Sequence, residues 1–263
     1  MDSAGKYALV TGASSGIGWK ISEEIVRRGY NIIAVSNQEK ELEELKFHLE
    51  ESYSVQVTSL YEDLAEENAA QNVFNFCTKL GIHVDILVNN AGMLVYGDTI
   101  RTGYSTVASI IQLHVTTPTL LCRLFGEKMM ERRDGYILNI SSISAVMPFP
   151  TISLYGPTKT YLRFFSRALR TELKPFGINV TCMMPGPIAT GFYDAANLNM
   201  RLLKIPGIVH KPELAARKGI NSLFNNRAVC IPGLINKILI LMVPLFPNLL
   251  ISRIYGRTLR SRK

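Results

Sequence analysis

With 263 residues, 47% hydrophobic and 19% charged, the chain can bury a sizeable core and is not intrinsically disordered. Its net charge of +8 is uneven: residues 1–194 hold 17 Lys and Arg against 20 Asp and Glu, whereas residues 195–263 hold 12 against one acid, Glu213. A basic last third on a near-neutral body excludes a general nucleic-acid-binding surface and leaves two readings, a local partner surface such as anionic lipid or a solvated basic tail.

The first residues, 1–6, are short and polar, with no basic–apolar–small segment, so no secretory signal is expected. Continuous apolar runs follow at 7–11, 31–36, 55–59, 85–89, 136–140 and 179–183, the pattern of strands buried on both faces of a parallel sheet. Between them lie stretches long enough for crossover helices, at 17–28, 39–51, 66–80, 105–132 and 155–175. Strand–helix alternation predicts a single α/β domain over residues 1–233 with a doubly wound parallel sheet, followed by an apolar and then basic extension over 234–263. Cys77, Cys122, Cys182 and Cys230 are scattered without a CxxC pair, which argues against a metal site or disulfide framework and suits a reducing cytoplasm.

The first strand runs into Thr11-Gly12-Ala13-Ser14-Ser15-Gly16-Ile17-Gly18 and then at once into a helix. Glycines there permit a tight turn and bring main-chain N–H groups to a pyrophosphate at a helix N-terminus, where the dipole favours anions. Four further segments follow in order: Asp63-Leu64, Asn89-Asn90-Ala91-Gly92, Ser142 with Tyr155-Gly156-Pro157-Thr158-Lys159, and Pro185-Gly186-Pro187-Ile188-Ala189-Thr190. In this order and spacing the chain resembles the short-chain dehydrogenase/reductase family, in its short single-domain branch, over about residues 6–233. The resemblance implies a Rossmann-type sheet and a nicotinamide cofactor. It also implies cofactor contacts from Gly12, Ser14, Ser15, Gly16, Ile17, Gly18, Ser36 and Asn37. Further along the chain it adds Asp63, Leu64, Asn89, Ala91, Gly92, Pro185, Gly186, Ile188 and Thr190, together with Tyr155 and Lys159. For Asp63 a helix-capping role competes, since Glu66 stands at capping-box spacing.

The chemistry of the triplet follows from its residue types. Tyr155 and Lys159 at i, i+4 share a helix face. A phenol of pKa ~10 is a poor acid or base at neutral pH, and an adjacent ammonium favours its phenolate. Tyr155 can then pass a proton to or from a substrate oxygen, while Ser142 donates to that oxygen as charge develops. Alone, a Tyr-xxx-Lys string is more often a surface pair; the company of Ser142 and the glycine loop favours catalysis. Where relatives usually place an asparagine that joins a proton relay to the lysine, this chain has His114, which either takes part in the relay or is a buried structural residue.

No acid closes the second strand at Val35-Ser36-Asn37-Gln38, where an NAD-dependent relative would carry one for the ribose 2′-hydroxyl, while Ser36 and Asn37 could donate hydrogen bonds to a 2′-phosphate, so NADP(H) is favoured over NAD(H). Apolar loop residues, among them Leu94, Tyr96, Met147 and Phe192 with Ser144 beside them, suit an apolar ketone or secondary alcohol such as a steroid or long-chain acyl compound. Two other readings remain: a catalytically inactive NADP(H)-binding sensor or scaffold, and a non-redox or epimerising enzyme on the same fold. The resemblance further implies a homodimer or homotetramer. The stretch 238–251 is too broken by Pro244, Pro247 and Asn248 for a span of ~20 residues, leaving a substrate lid, an oligomer contact or a membrane-surface anchor with Arg253, Arg257, Arg260, Arg262 and Lys263 at head groups. A cytoplasmic protein, with or without peripheral membrane association, is the expectation.

Overall fold

The computed structural model describes residues 5–146, 150–192 and 209–242. Seven strands, β1 (Tyr7–Thr11), β2 (Asn31–Ser36), β3 (Val57–Tyr61), β4 (Val84–Asn89), β5 (Gly135–Ile140), β6 (Ile178–Met183) and β7 (Val229–Cys230), form one sheet in the order β3-β2-β1-β4-β5-β6-β7. Every pairing is parallel. The continuous apolar runs are explained by burial on both sides. Ala8, Val10, Ile32, Ala34, Ile86 and Val88 face one layer, and the alternate residues Leu9, Ile33, Val35 and Leu87 face the other.

The first layer is built by α1 (Gly16–Val26), α2 (Glu39–Ser52) and α7 (Pro212–Phe224). Along α2, Leu42, Leu45 and Leu49 recur at helical spacing and are fully buried, each contributing about 1.5–3 kcal/mol. The second layer comprises α3 (Ala69–Lys79), α5 (Thr117–Arg132) and α6 (Tyr155–Leu173), preceded by the short α4 (Tyr104–Ile111). The helix α8 (Leu234–Met242) packs Ile240 against Ala145, Cys182 and Met184 and turns Leu234, Ile238, Leu241 and Met242 outward.

Three expectations shift, each for a local reason. The third strand begins two residues late, because the Asn31 side chain takes the Gln56 N–H and the ladder opens at Ile32 and Val57. The third helix begins at Ala69 rather than 66: Asp63 accepts the N–H of Ala65 and its carbonyl that of Glu66, an Asx-type turn that uses up those residues. The stretch 105–132 is not one regular helix but is interrupted by a π-turn at Gln112–Thr116, where the Thr117 N–H reaches back to the Gln112 carbonyl. Pro118 supplies the cause, since it has no N–H to give the His114 carbonyl and its ring crowds that oxygen. The elements α7 and β7 were not expected from the sequence, whereas α8 lies in the extension 234–263 for which a helix was expected.

The strand order reverses between β1 and β4, and there the carboxyl ends of the strands leave a crevice in which such sheets bind ligands.

Candidate active site

The glycine loop leaves β1 at the rim of that crevice. Gly12 and Gly16 have φ of +61° and +55°, a left-handed conformation that strains a residue with a Cβ. At Gly18 a Cβ would collide with the Gly12 carbonyl, so the turn closes on itself only with glycine there. The loop is anchored from behind by Asn90, whose side chain donates to the carbonyls of Thr11 and Gly12 at 2.9 and 3.0 Å, and by Thr11, whose hydroxyl accepts from the N–H groups of Asn90 and Ala91. Thr190, from the loop after β6, lies with its methyl 3.2 Å from where a Cβ on Gly16 would be. Gly12, Gly16, Gly18, Ala91 and Thr190 are thus brought to one edge of the crevice by three separate loops.

Behind that edge sits Lys159, 4% exposed, its ammonium donating to the Ile140 carbonyl at 3.0 Å. Burial pushes its pKa down to about 8 from the ordinary lysine value. The ammonium lies 5.7 Å from the centroid of the Tyr155 ring, one turn earlier on the same helix. Ser142 follows β5, and its oxygen accepts the N–H of Ser144 at 3.1 Å. That bond uses one of the two lone pairs, and the hydroxyl proton is the group Ser142 can offer a ligand oxygen. His114 is 1% exposed, edge-on to Tyr155 with ring centroids 5.6 Å apart. A Cβ on Gly92 would stand 3.0 Å from His114 Nε2 and 3.5 Å from Lys159 Nζ, so the β4 loop also needs a glycine to pass over the pair. Below lies a cavity of about 10 Å³, the size a single water occupies, lined by Asn89, His114 and Lys159 among others. A glycine loop, a buried lysine and a tyrosine one helical turn away converge at the switch point of a parallel sheet.

The sequence profile of the short chain dehydrogenase family matches residues 6–201. The chain belongs to the short-chain dehydrogenase family. Among curated relatives it is 33% identical over 190 residues to very-long-chain 3-oxoacyl-CoA reductase-A of Danio rerio, covering 71% of this chain and 59% of that protein. It is also 33% identical over 199 residues to hydroxysteroid dehydrogenase-like protein 1 of Gallus gallus, covering 75% and 60%. The matched stretch therefore spans about three fifths of those proteins' length. Among solved structures, a short-chain dehydrogenase from Sphingobium yanoikuyae in complex with NADPH superposes with a TM-score of 0.80 at 28% identity, covering 87% of this chain and 88% of that one. A bulky-bulky ketone specific alcohol dehydrogenase from Comamonas testosteroni gives 0.76 at 27% identity, covering 86% of each.

Other residues singled out in the sequence fall in two groups. Ile188, Gly186 and Pro185 lie in the loop after β6, whose Pro185 carbonyl accepts the Ile143 N–H beside Ser142. Phe192 comes within 6.1 Å of Tyr155, ring to ring, and Leu94, Tyr96 and Ser144 lie on the neighbouring loops. Met147 and most of the C-terminal extension, from residue 243, lie outside the described residues. The second group turns inward. Asn89 donates its side-chain N–H groups to Asn139 Oδ1 at 2.8 Å and to Cys122, leaving its own Oδ1 without a hydrogen-bond partner among the described residues. Ser36, 6% exposed, shares its hydroxyl with Ser14 at 2.8 Å and accepts the Gln38 N–H, while Ser14 donates to Gln38 Oε1 at 2.8 Å. Since the Ser14 proton goes to Gln38, the Ser36 proton goes to Ser14, and Ser36 has none to offer a phosphate. Asn37 stands exposed beside it. Asp63 is held by its turn, with Leu64 buried behind it.

Asn90, Thr11 and Thr158 were not singled out in the sequence, although each forms hydrogen bonds that hold the site. For Asn90 the signal was available: it directly follows β4 in Asn89-Asn90-Ala91-Gly92, and two adjacent amides at a strand end must face opposite sides. Among the described residues no group of His, Cys, Asp or Glu is arranged to hold a metal, and all four cysteines are buried and free. No helix among them is long and apolar enough to cross a membrane.

Proposed function

We propose that the chain is an NADP(H)-dependent oxidoreductase that interconverts an apolar ketone and its secondary alcohol, with Tyr155 as the proton donor and acceptor. The observation that carries the reading is the buried Lys159 ammonium 5.7 Å from the Tyr155 ring, beneath a glycine loop built for a pyrophosphate. The nicotinamide nucleotide, when bound, supplies or accepts hydride. Ser15, Gly16, Ile17 and Gly18 would hold its phosphates with main-chain N–H groups at the start of α1, where the helix dipole adds to the attraction, while the Gly12 N–H goes to the Val35 carbonyl and Gly12 serves the turn. Lys159 would hold the nicotinamide ribose, and the loop Pro185–Thr190 would border the ring. Ser142, its oxygen already accepting from Ser144, donates its proton to the substrate oxygen and fixes its position. Tyr155 delivers its phenolic proton to that oxygen in reduction and takes it back in oxidation, the charge left on the phenolate being offset by Lys159. Phe192, Leu94 and Tyr96 give the substrate side an apolar wall, which suits the long-chain acyl and hydroxysteroid chemistry in the names of the relatives. Loss of NADPH absorbance over a panel of apolar ketones tests the reading. No turnover of either nucleotide with any carbonyl would leave a binding protein or a non-redox enzyme.

For the cofactor, the end of β2 carries no carboxylate to repel a 2′-phosphate. With Ser36 closed off, the donors on that rim are the Asn37 amide and the amide N–H groups of Gln38, whose oxygen Ser14 holds. NADPH is expected to bind more tightly than NADH, as measured by the two dissociation constants at one ionic strength. Equal or tighter NADH binding would remove the phosphate site.

The protein is further proposed to pair with a second copy through α4, α5 and α6. Tyr104, Ile111, Leu120, Tyr161 and Phe164 are exposed there, and the Thr119 and Tyr161 hydroxyls, 3.0 Å apart, tie α5 to α6. Apolar side chains gathered on one face mark a contact surface. Light scattering at micromolar concentration is expected to give a multiple of the chain mass, reduced to the single chain by Phe164→Glu with Leu120→Glu. A wild-type monomer would remove the interface.

A further inference from the structure

We propose that His114 and Thr158 form a fixed brace that positions Tyr155, and that His114 passes no proton. The inference rests on the reading of Tyr155 as the acid, but its central evidence is independent of turnover. Thr158 Oγ1 lies 2.8 Å from the Tyr155 carbonyl and 3.0 Å from His114 Nδ1. A carbonyl only accepts, so the single hydroxyl proton goes to it, and towards the ring the hydroxyl can only accept. Nδ1 therefore carries the hydrogen. On the far side of the ring, Nε2 lies 2.9 Å from the Met93 N–H, which only donates, so Nε2 is the bare nitrogen. Two partners on opposite sides of the imidazole specify the same neutral tautomer.

The result is a chain of hydrogen bonds pointing one way, from the Met93 N–H through His114 and Thr158 to the Tyr155 carbonyl. A relay would need the ring to take a proton on one nitrogen and release it from the other. Here a proton on Nε2 would confront the Met93 N–H, and one leaving Nδ1 would break the contact with Thr158. The charged and titratable groups facing the ring among the described residues are Lys159 and Tyr155, both on α6. Burial first, and the Lys159 ammonium second, hold the imidazolium well below the ordinary histidine range.

The brace has a mechanical purpose that the fold makes evident. Tyr155 is the first residue of α6, tied to what precedes it only by the short turn in which the Gly156 and Thr158 N–H groups donate to the Ile152 and Leu154 carbonyls. The brace supplies further anchorage from the π-turn 112–116 and the loop after β4, the same loop whose Gly92 passes over Lys159. Tyr155 is thereby held relative to Lys159 and the cofactor loop at once.

The test uses the full-length protein labelled with ¹⁵N-histidine. The expected spectrum shows His114 as the Nδ1–H tautomer, unchanged between about pH 5 and about pH 8, the range in which a free imidazole titrates. Thr158→Val, which keeps the side-chain shape and removes the hydroxyl, is expected to lower kcat about tenfold with the cofactor KM held within about threefold, because misplacing a reacting group costs rate rather than cofactor binding. The pH profile should keep its shape, and Thr158→Ser should restore most of kcat. An Nε2–H tautomer, a His114 titration between about pH 5 and about 8, or a wild-type kcat in Thr158→Val overturns the brace. If Thr158→Val does not fold, the tautomer and its titration decide alone. Full turnover in Tyr155→Phe would instead defeat the acid reading and leave the tautomer result standing.

Discussion

Replacing Tyr155 by Phe is expected to reduce kcat by about 10²–10⁴-fold while NADPH affinity stays within a few-fold, because general acid–base transfer is worth that much and the substitution removes a single oxygen. Cofactor affinity should survive, since the groups placed to hold the nucleotide are the glycine loop, Lys159 and the loop after β6, not the phenol. The ring itself should keep its place. It packs edge-on against His114 and within 6.1 Å of Phe192, and its backbone carbonyl is held by Thr158, none of which involves the hydroxyl. Steady-state kinetics beside a cofactor titration separates the two effects. A Phe variant keeping a tenth or more of kcat would falsify Tyr155 as the acid.

The sequence reveals some parts of this molecule and hides others, residue by residue. The sheet was legible because its strands are buried on both faces: runs such as Tyr7–Thr11 and Asn31–Ser36 are continuous and apolar, and they are strands to the residue. The glycine loop and the Tyr155/Lys159 pair were legible because their chemistry is tied to spacing along the chain. The side-chain directions were not. Asn89 and Asn90 are neighbours with the same side chain, yet one bonds into the core at Asn139 and the other clamps the glycine loop, a choice made by which side of β4 each occupies. Ser36 looked like a phosphate donor because it sits at the strand end. Only three-dimensional proximity to Ser14 and Gln38 shows its proton already committed. The π-turn was half legible: Pro118 within an otherwise helical run announces a break, but the seat it gives His114 depends on Met93 and Thr158, 21 and 44 residues away in sequence.

Lys159→Met is expected to abolish most turnover, weaken NADPH binding and yet raise the melting temperature of the cofactor-free protein. The ammonium that serves catalysis is a burden on the fold, since burial moves its pKa from the ordinary value of 10.5 down to about 8. At 1.36 kcal/mol per pKa unit this places a cost of about 3 kcal/mol on the charged form at neutral pH. Methionine has nearly the same length and no charge, so it removes that cost without opening a cavity, as other buried charges behave when replaced by apolar isosteres. Against this stands the lost hydrogen bond to the Ile140 carbonyl, about 1 kcal/mol. A net gain of about 2 kcal/mol corresponds to a rise of about 4–8 °C for a chain of this size. The pH dependence identifies the cause. Between about pH 8 and about 10.5 the unfolded chain keeps the lysine proton and the folded one loses it, so wild-type stability rises relative to the variant as pH increases and the gap closes. Over the same range the free enzyme loses the charge that assists Tyr155, and reductive kcat/KM of the wild type should fall above about pH 8. Melting curves of both proteins at pH 7 and pH 10 decide it. A variant that melts lower than wild type at pH 7, or a gap that does not narrow with pH, would mean that Lys159 is not the strained cation that its burial implies.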